Sequence, residues 1–180
     1  MDPRIEKLIK AGIYLSLMSI MALPLFGWRV PKLLPSTALL LIHEFSGMIF
    51  VGHTVFSNIW SMRIRQTQPA PVGIWARGFI RKMALRITLP TTIITPLAGL
   101  MLIEDWGGLS NAPWAYDAYL CFWIMAGISL WPDLIRLAVD RHAADATHGM
   151  RGGLIRSMGA LALTIYIIVC MVTKQAWITG

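Results

Sequence analysis

Five long apolar runs divide the chain, and each is about as long as a helix that crosses a bilayer. The runs lie at about residues 8–28, 36–62, 87–103, 118–139 and 154–173. A spanning helix needs about 20 mostly apolar residues, and backbone polar groups in lipid are satisfied only within a helix or a closed barrel. The runs therefore predict an all-α, polytopic transmembrane helix bundle that forms a single domain over residues 1–180.

Composition supports the same fold class. Apolar residues make up 56% of the chain and charged residues only 14%, whereas a soluble domain carries about 25% charged residues. The net charge is +7, but the basic residues lie between the apolar runs and no nucleic-acid-binding motif accompanies them. We therefore expect a lipid bilayer as the main partner, and no nucleic acid.

The distribution of Lys and Arg predicts the orientation of the bundle. If the N-terminus is cytoplasmic, 13 of the 16 basic residues fall on the cytoplasmic side, as the positive-inside rule requires. The predicted arrangement is N-in and C-out in a bacterial inner membrane. The first run resembles a signal sequence without a convincing cleavage site, so we expect an uncleaved span, and cleavage would leave four spans.

Two predicted spans depart from the usual length. The second has 27 residues and is expected to tilt or protrude, while the third has 17 and carries Pro90 and Pro96, which predict a bend. Residues 66–85 between them predict a cytoplasmic loop with an amphipathic helix on the anionic leaflet. Several tryptophans fall near span ends, as in an interfacial belt: Trp28, Trp60, Trp106, Trp114 and Trp177.

The second span has a small, polar side. At 100° per residue, this side holds Ser36, His43, Gly47, Phe50, Thr54, Ser57 and Ser61. The opposite side suits lipid and holds Leu41, Met48, Val55, Phe56 and Ile59. Such a polar stripe is typical of helix contacts in membranes, and it is equally suited to line a cavity.

Three ionisable residues lie inside this span, namely His43, Glu44 and His53. Such groups are costly in lipid and usually face the bundle interior. The two histidines are ten residues apart, a rise of about 15 Å, so one straight helix cannot bring both to a single iron. Each histidine is a packing residue or a ligand. Glu44 must be protonated, paired or near water, as a proton carrier or a partner of a histidine.

Other residues give weaker signals. Cys121 and Cys170 lie inside apolar runs without metal-ligand spacing, so we interpret them as packing residues. His142 and His148 lie in the segment DRHAADATH, where metal binding is conceivable but the spacing matches no specific template. A solvated connection between two spans explains that segment more simply.

The sequence of several spans resembles a known family. The second span reads LIHEFSGMIFVGHTVFSNIW and the third LRITLPTTIITPLAGLMLI, and they are followed by WAYDAYLCFWIMAGISLWPDLIRLAVD and IYIIVCMVTK. Over about Leu34 to Lys174, this order resembles the bacterial integral membrane proteins grouped as domain of unknown function 2269. That family is similar to the broader group of CopD-type copper-resistance domains and HemJ-type protoporphyrinogen oxidases.

The resemblance implies a b-type haem held by a histidine of an early span. Here His43 takes that place, as metal ligand, while Glu44 and His53 depart from the pattern and imply a second ligand site or a proton path. The first hypothesis is therefore a haem-binding membrane oxidoreductase of protoporphyrinogen-oxidase-like type. The alternatives are a non-catalytic subunit or assembly factor that docks another membrane protein or a second copy, and a cation or proton transport protein that uses the same three residues.

Overall fold

The computed structural model describes residues 3–138 and 150–179, and all regular elements within them are helical. The α-helices are α1 (Pro3–Ala22), α2 (Ser36–Thr67), α3 (Ala70–Met83), α4 (Leu89–Leu102), α5 (Pro113–Ala138) and α6 (Met150–Thr173). Among the described residues, three helical stretches are long and apolar enough to cross a membrane: 36–67, 86–106 and 151–173. The chain is thus an all-helical membrane protein, and the number of five spans stays a prediction.

Helix α2 pairs with α3 and α4 in one antiparallel hairpin. Trp60 contacts Phe79, the His53 ring bonds to Thr88, and the Ser46 hydroxyl bonds to Thr95. The partner number rises as the α2 number falls, which is the register of an antiparallel pair. The turn lies around Pro69, whose carbonyl accepts hydrogen bonds from the first backbone N–H groups of α3. Proline cannot continue α2, because it has no N–H and restricts the residue before it.

The segment predicted as a surface helix is helical, but it forms part of this hairpin. Helix α3 packs on the end of α2, with Gly73 and Ala76 buried, and it continues into α4 through a π-helical turn at residues 84–88. Trp75 and Phe79 stack on its exposed side. With 32 residues, α2 is about 48 Å long, so the Pro69 end of the hairpin extends beyond a hydrocarbon layer of about 30 Å.

The irregularity predicted from Pro90 and Pro96 has a definite place. The π-helical turn ends just before α4, Pro90 lies in the first turn of α4, and Pro96 lies inside it. Pro96 has no N–H, so it cannot donate the usual helical hydrogen bond to the carbonyl of Thr92, one turn earlier in α4. Extra-residue turns of this kind re-satisfy the backbone where a regular ladder is interrupted, and they occur often at functional sites.

Helices α5 and α6 form the second hairpin and carry most of the buried apolar side chains. Tyr119 of α5 donates a hydrogen bond to the carbonyl of Met21, which ties α1 to this hairpin. Cys121 and Cys170 are free and buried, which confirms the prediction that they are packing residues. The two hairpins lie side by side, with a core of aromatic and aliphatic side chains between them.

One end of the bundle, here called the loop end, is formed by residues 27–35, 103–112 and 174–179. The Arg29 guanidinium donates to the carbonyl of Gly107 over 2.9 Å, and the Lys32 ammonium and the Ser36 hydroxyl both donate to Asp105. Gly107 and Gly108 have φ angles of 85° and 92°, a backbone region that glycine adopts without steric cost. These contacts join the segment before α2 to the segment after α4.

The predicted span boundary at about residue 118 placed Asp117 in a loop, and the structure shows that this was wrong. Helix α5 begins at Pro113 instead of about Ala118, since proline is well suited to the first helical position. Asp117 therefore lies in α5, and its side chain is fully buried. Its carboxylate accepts hydrogen bonds from five donors of α6 and the C-terminal segment: the backbone N–H groups of Trp177, Ile178 and Thr179, the hydroxyl of Thr179 and the hydroxyl of Tyr166.

The side chain of Lys174 also belongs to the loop end. Its ammonium lies 3.8 Å from the ring centroid of Trp114 and 5.9 Å from that of Trp106, within the range of cation–π attraction. Trp114 is only 8% exposed, so it packs within the bundle, and its position at the membrane interface stays a prediction. Trp106, by contrast, remains exposed.

Candidate functional site

A cavity of about 580 Å³ lies between the two hairpins and is lined by α2, α4, α5 and α6. This volume is within the range of about 300–1,000 Å³ that is usual for small-molecule sites. Most of the lining is apolar, including Phe122, Met125 and Met171. The polar residues that line it are His43, Glu44, Thr91, Thr92, Thr95, Tyr119 and Thr164.

His43 is held in one orientation by the backbone of α4. Its Nδ1 atom lies 2.7 Å from the carbonyl oxygen of Thr95. A carbonyl oxygen can only accept a hydrogen bond, so Nδ1 carries the proton and donates it. In the neutral ring, Nε2 then keeps an unprotonated lone pair. The structure thus makes His43, which lines the cavity, a base and a potential metal ligand at Nε2.

Gly99 makes room for this ring. A Cβ atom at Gly99 would lie 2.9 Å from Cε1 and 3.1 Å from Nδ1 of His43, closer than side chains pack without a shift. Gly99 lies four residues after Thr95, so the two share one face of α4. That face supplies both the carbonyl that orients the imidazole and the space that the imidazole occupies.

A second pair of contacts fixes Thr95 relative to α2. The Thr95 hydroxyl donates to Ser46 Oγ over 2.8 Å, and the buried Ser46 hydroxyl donates to the carbonyl of Ile42 over 2.6 Å. Ser46 lies almost one helical turn after His43 on α2. Two hydrogen bonds therefore join α2 to α4 at this point, one from His43 to the Thr95 carbonyl and one from the Thr95 hydroxyl to Ser46. Together they limit the movement of the imidazole relative to its acceptor.

The hydroxyl groups of the lining already donate their protons within the protein. Four of these hydroxyls donate to backbone carbonyl groups: those of Thr91, Thr92, Thr164 and Tyr119. The fifth, that of Thr95, donates to Ser46 Oγ. A hydroxyl has one proton and two lone pairs. What this lining offers to a ligand is therefore lone pairs, which suits a metal centre or a hydrogen-bond donor.

Glu44 lies at the edge of the cavity and its residue is exposed. It makes no hydrogen bond within the described part of the chain, and its charge acts on Lys174 from a distance. Burial lowers the pKa of the Lys174 ammonium, and the negative charge of Glu44 offsets part of that shift. Glu44 is thus the cavity residue whose oxygen atoms are most accessible from outside.

The structure does not bring His53 to the same place. Its Nδ1 lies 2.9 Å from the hydroxyl oxygen of Thr88, and His53 does not line the cavity. His43 and Glu44 share the cavity, whereas His53 lies deeper toward the Pro69 end. No three His, Cys, Asp or Glu side chains cluster as metal ligands in residues 3–138 and 150–179. His142 and His148 lie outside the described residues.

The two sides of α2 have the environments that their composition predicts. Met48 and Phe56 on the apolar side are 58% and 73% exposed, whereas Ser61 on the polar side is buried. The polar side faces α4 near Thr95 and the cavity near His43. Of the two roles left open for the polar stripe, helix contact and cavity lining, it therefore has both.

No separate signal in the sequence marks Thr95 or Gly99 as site residues. The only indication is two small residues one helical turn apart, on either side of Pro96, in TPLAG. Their role depends on which helix faces α4. Comparisons of the chain with protein-family models, curated proteins and solved structures found no match. The family resemblance of the spans therefore stays a prediction.

Proposed function

We propose that the protein is a b-type haem-binding redox protein of the membrane, in which His43 Nε2 would hold the iron. The observation that carries the proposal is the hydrogen bond from His43 Nδ1 to the Thr95 carbonyl. Histidine ligands of metals usually donate their other ring N–H to a carbonyl or carboxylate, which fixes the tautomer and raises the basicity of the ligating nitrogen. His43 has this arrangement.

The residues of the cavity fit a haem in three respects. Haem brings its own equatorial nitrogens, so it needs one or two axial ligands and no cluster of three protein ligands. The cavity has the volume of a small-molecule site and an apolar lining. Met48, Met125 and Met171 also line it, and a methionine thioether can bind haem iron. When bound, haem would supply one-electron chemistry.

The chain's own groups have separate tasks in this proposal. Thr95 and Gly99 orient the imidazole of His43, and the Ser46–Thr95 hydrogen bond holds the two helices in register. The apolar residues around the cavity exclude water, which strengthens electrostatic interactions inside it. Glu44 at the edge can take up and release a proton at its carboxyl oxygens, which is the role of a general acid or base.

The loop end supports a topology with five spans, the N-terminus inside and the C-terminus outside. The three basic residues that this orientation places outside are Arg29, Lys32 and Lys174, and all three lie at the loop end. Each is engaged with a partner there. The opposite, Pro69 end carries the basic residues of the hairpin, as the positive-inside rule expects of the cytoplasmic side. We propose a bacterial inner membrane as the location.

The two alternatives have less support from the geometry. A docking function would use the polar stripe of α2, but His43 in that stripe already bonds to the Thr95 carbonyl of α4. A transport path through His43, Glu44 and His53 would need the three groups in one channel, whereas His53 lies outside the cavity and bonds to Thr88. Haem binding at His43 is compatible with the observed contacts of His43 and Ser46 with Thr95.

The test is a visible spectrum of the detergent-purified protein, oxidised and dithionite-reduced, after expression with ample haem. We expect Soret and α bands that are lost in His43→Ala. The matched control is His53→Ala, which removes the other intramembrane histidine of α2 and should keep both bands. A colourless wild-type protein, or bands that survive His43→Ala, would rule out the proposed ligand.

A further inference from the structure

The cavity is not closed on all sides. Its exposed lining residues are Glu44 and Met48 on α2, and Ile168 and Val172 on α6. Each pair is spaced i, i+4, so it forms a ridge along one side of its helix. Met48, Ile168 and Val172 are 58%, 48% and 75% exposed. These two ridges define an opening between α2 and α6, here called the lateral opening.

The position of the lateral opening makes it face lipid. Helices α2 and α6 belong to different hairpins, and each packs far more closely on its own hairpin partner than on the other. Both are long and apolar enough to cross a membrane. Glu44 is eight residues after Ser36, so it lies about 12 Å along α2 from the loop end. A molecule that reaches the opening therefore comes from the bilayer.

The chemistry of the opening selects the kind of molecule. Three of its four residues are aliphatic or thioether side chains, which suit a hydrocarbon chain. The fourth, Glu44, brings carboxyl oxygens into an apolar setting without a hydrogen bond from the described residues. The nearby hydroxyls of Thr91, Thr92 and Thr95 already donate their protons within the protein. The groups left without a hydrogen-bond donor are acceptors, and an acceptor in an apolar setting is costly until a donor reaches it.

We propose that the lateral opening binds a membrane-dissolved amphiphile with a hydroxyl group, of the long-chain phenol or alcohol class. Its O–H donates to a carboxyl oxygen of Glu44, and its chain lies between the ridges of Met48 and of Ile168 and Val172. The proposal goes beyond haem binding and does not depend on it, because it concerns Glu44 and the outer edge of the cavity, whereas haem is assigned to Nε2 of His43.

The experiment compares two probes that differ only in the donor. Labelled 4-decylphenol and its methyl ether, 4-decylanisole, are equilibrated with the full-length protein in detergent, with protein-free micelles as the blank. We expect the phenol to bind about tenfold more tightly, which is the effect of one hydrogen bond shielded from water. The variant Glu44→Leu should remove this preference and retain binding of the ether.

A matched pair of variants tests the opening itself. Ile168→Trp places a large ring in the opening and should weaken the binding of both probes at least tenfold. Ile165→Trp is the control, because Ile165 is similarly exposed on the same helix but does not line the cavity. It should bind both probes as the wild type does.

Three results would overturn the proposal. Equal affinity for the phenol and the ether would mean that no acceptor selects the ligand, and a preference that persists in Glu44→Leu would mean that Glu44 is not that acceptor. A change of oligomeric state in Ile168→Trp, measured by light scattering, would make the opening an interface between copies of the chain. The Soret band of the same samples separates the two proposals: a missing band with an intact phenol preference rejects haem alone, and an intact band without the preference rejects the amphiphile alone.

Discussion

The loop end and the cavity treat their polar groups in opposite ways. At the loop end, Asp105 receives hydrogen bonds from Lys32 and Ser36, and Asp117 receives them from five donors. In the cavity, the donors bond within the protein, and Nε2 of His43 and the oxygens of Glu44 keep lone pairs without a partner in the described part of the chain. Paired groups stabilise a fold, whereas unpaired ones can bind a ligand.

The loop end and the cavity therefore serve different purposes, fold stability and ligand binding respectively. A buried acceptor without a donor costs about 1–3 kcal/mol, so a protein retains one where a ligand supplies the donor or accepts the lone pair. The loop end has no such groups left over and joins the helices. We therefore expect changes at the loop end to reduce stability and changes in the cavity to reduce ligand binding. The following predictions test that separation, beginning with the largest effect.

Asp117→Ala should have the largest effect on stability. The substitution leaves five donors of α6 and the C-terminal segment without their acceptor. Since residues 177–179 can turn outward and bond to water, we expect a loss of about 3 kcal/mol in the free energy of unfolding. Thermal unfolding in detergent measures the loss, and the Soret band should stay. Loss of the Soret band at a temperature where the variant is folded would contradict the prediction that the loop end affects stability and not ligand binding.

Acid should release the C-terminal segment by the same route with a smaller effect. Burial raises the pKa of Asp117, but the hydrogen bonds from Thr179, Ile178, Trp177 and Tyr166 bring it below its ordinary value. A carboxyl whose folded pKa is depressed contributes stability above its unfolded pKa, about 3.9, and loses it as pH falls through the folded value. The protection of residues 175–179 against hydrogen exchange, relative to an unstructured peptide at the same pH, should fall below about pH 4. Asp117→Asn, which cannot titrate, should show no such step.

Gly99→Ala should weaken the ligand more than the fold. The added Cβ would lie 2.9 Å from Cε1 of His43, so the ring must turn away from the Thr95 carbonyl. We expect at least a tenfold loss of haem affinity, or about 1.4 kcal/mol, with a smaller change in unfolding temperature. Gly127→Ala is the matched control, because nothing lies within 4 Å of a Cβ there. If haem titration gives the same affinity for both variants, Gly99 does not position His43.

Arg29→Ala should have the smallest effect. Its guanidinium bonds to the Gly107 carbonyl and lies 3.9 Å from Glu104, but the side chain is 63% exposed. An exposed ion pair contributes about 0–1 kcal/mol, so we expect a loss of about 0.5 kcal/mol or less in the free energy of unfolding. Chemical denaturation in mixed micelles would detect a larger loss, which would show that the loop end depends on this surface contact.

The sequence was sufficient for some elements and not for others. The apolar runs located α2, α4, α5 and α6 to within about five residues, whereas α1 covers Pro3–Ala22 instead of residues 8–28. The period of α2 separated its exposed side from its polar side. The same reasoning misplaced Asp117, since a charged residue near a predicted span end was assigned to the loop. Its prediction of a helix within residues 66–85 is confirmed by α3, but it did not foresee that α3 packs on α2 with Gly73 and Ala76 buried. Both features concern partners that are distant in the chain.

The helical membrane fold follows from the sequence alone, because the length of an apolar run and the need to pair backbone groups in lipid act locally. The sequence also identifies His43 and Glu44 as candidates, because an ionisable residue inside an apolar run has few roles open to it. The tertiary structure was needed to show that Thr95 fixes the tautomer of His43, that Gly99 leaves space for its ring, and that Glu44 lies at a lateral opening. These features arise where two helices meet, and the period of one helix does not specify which residues of another helix face it.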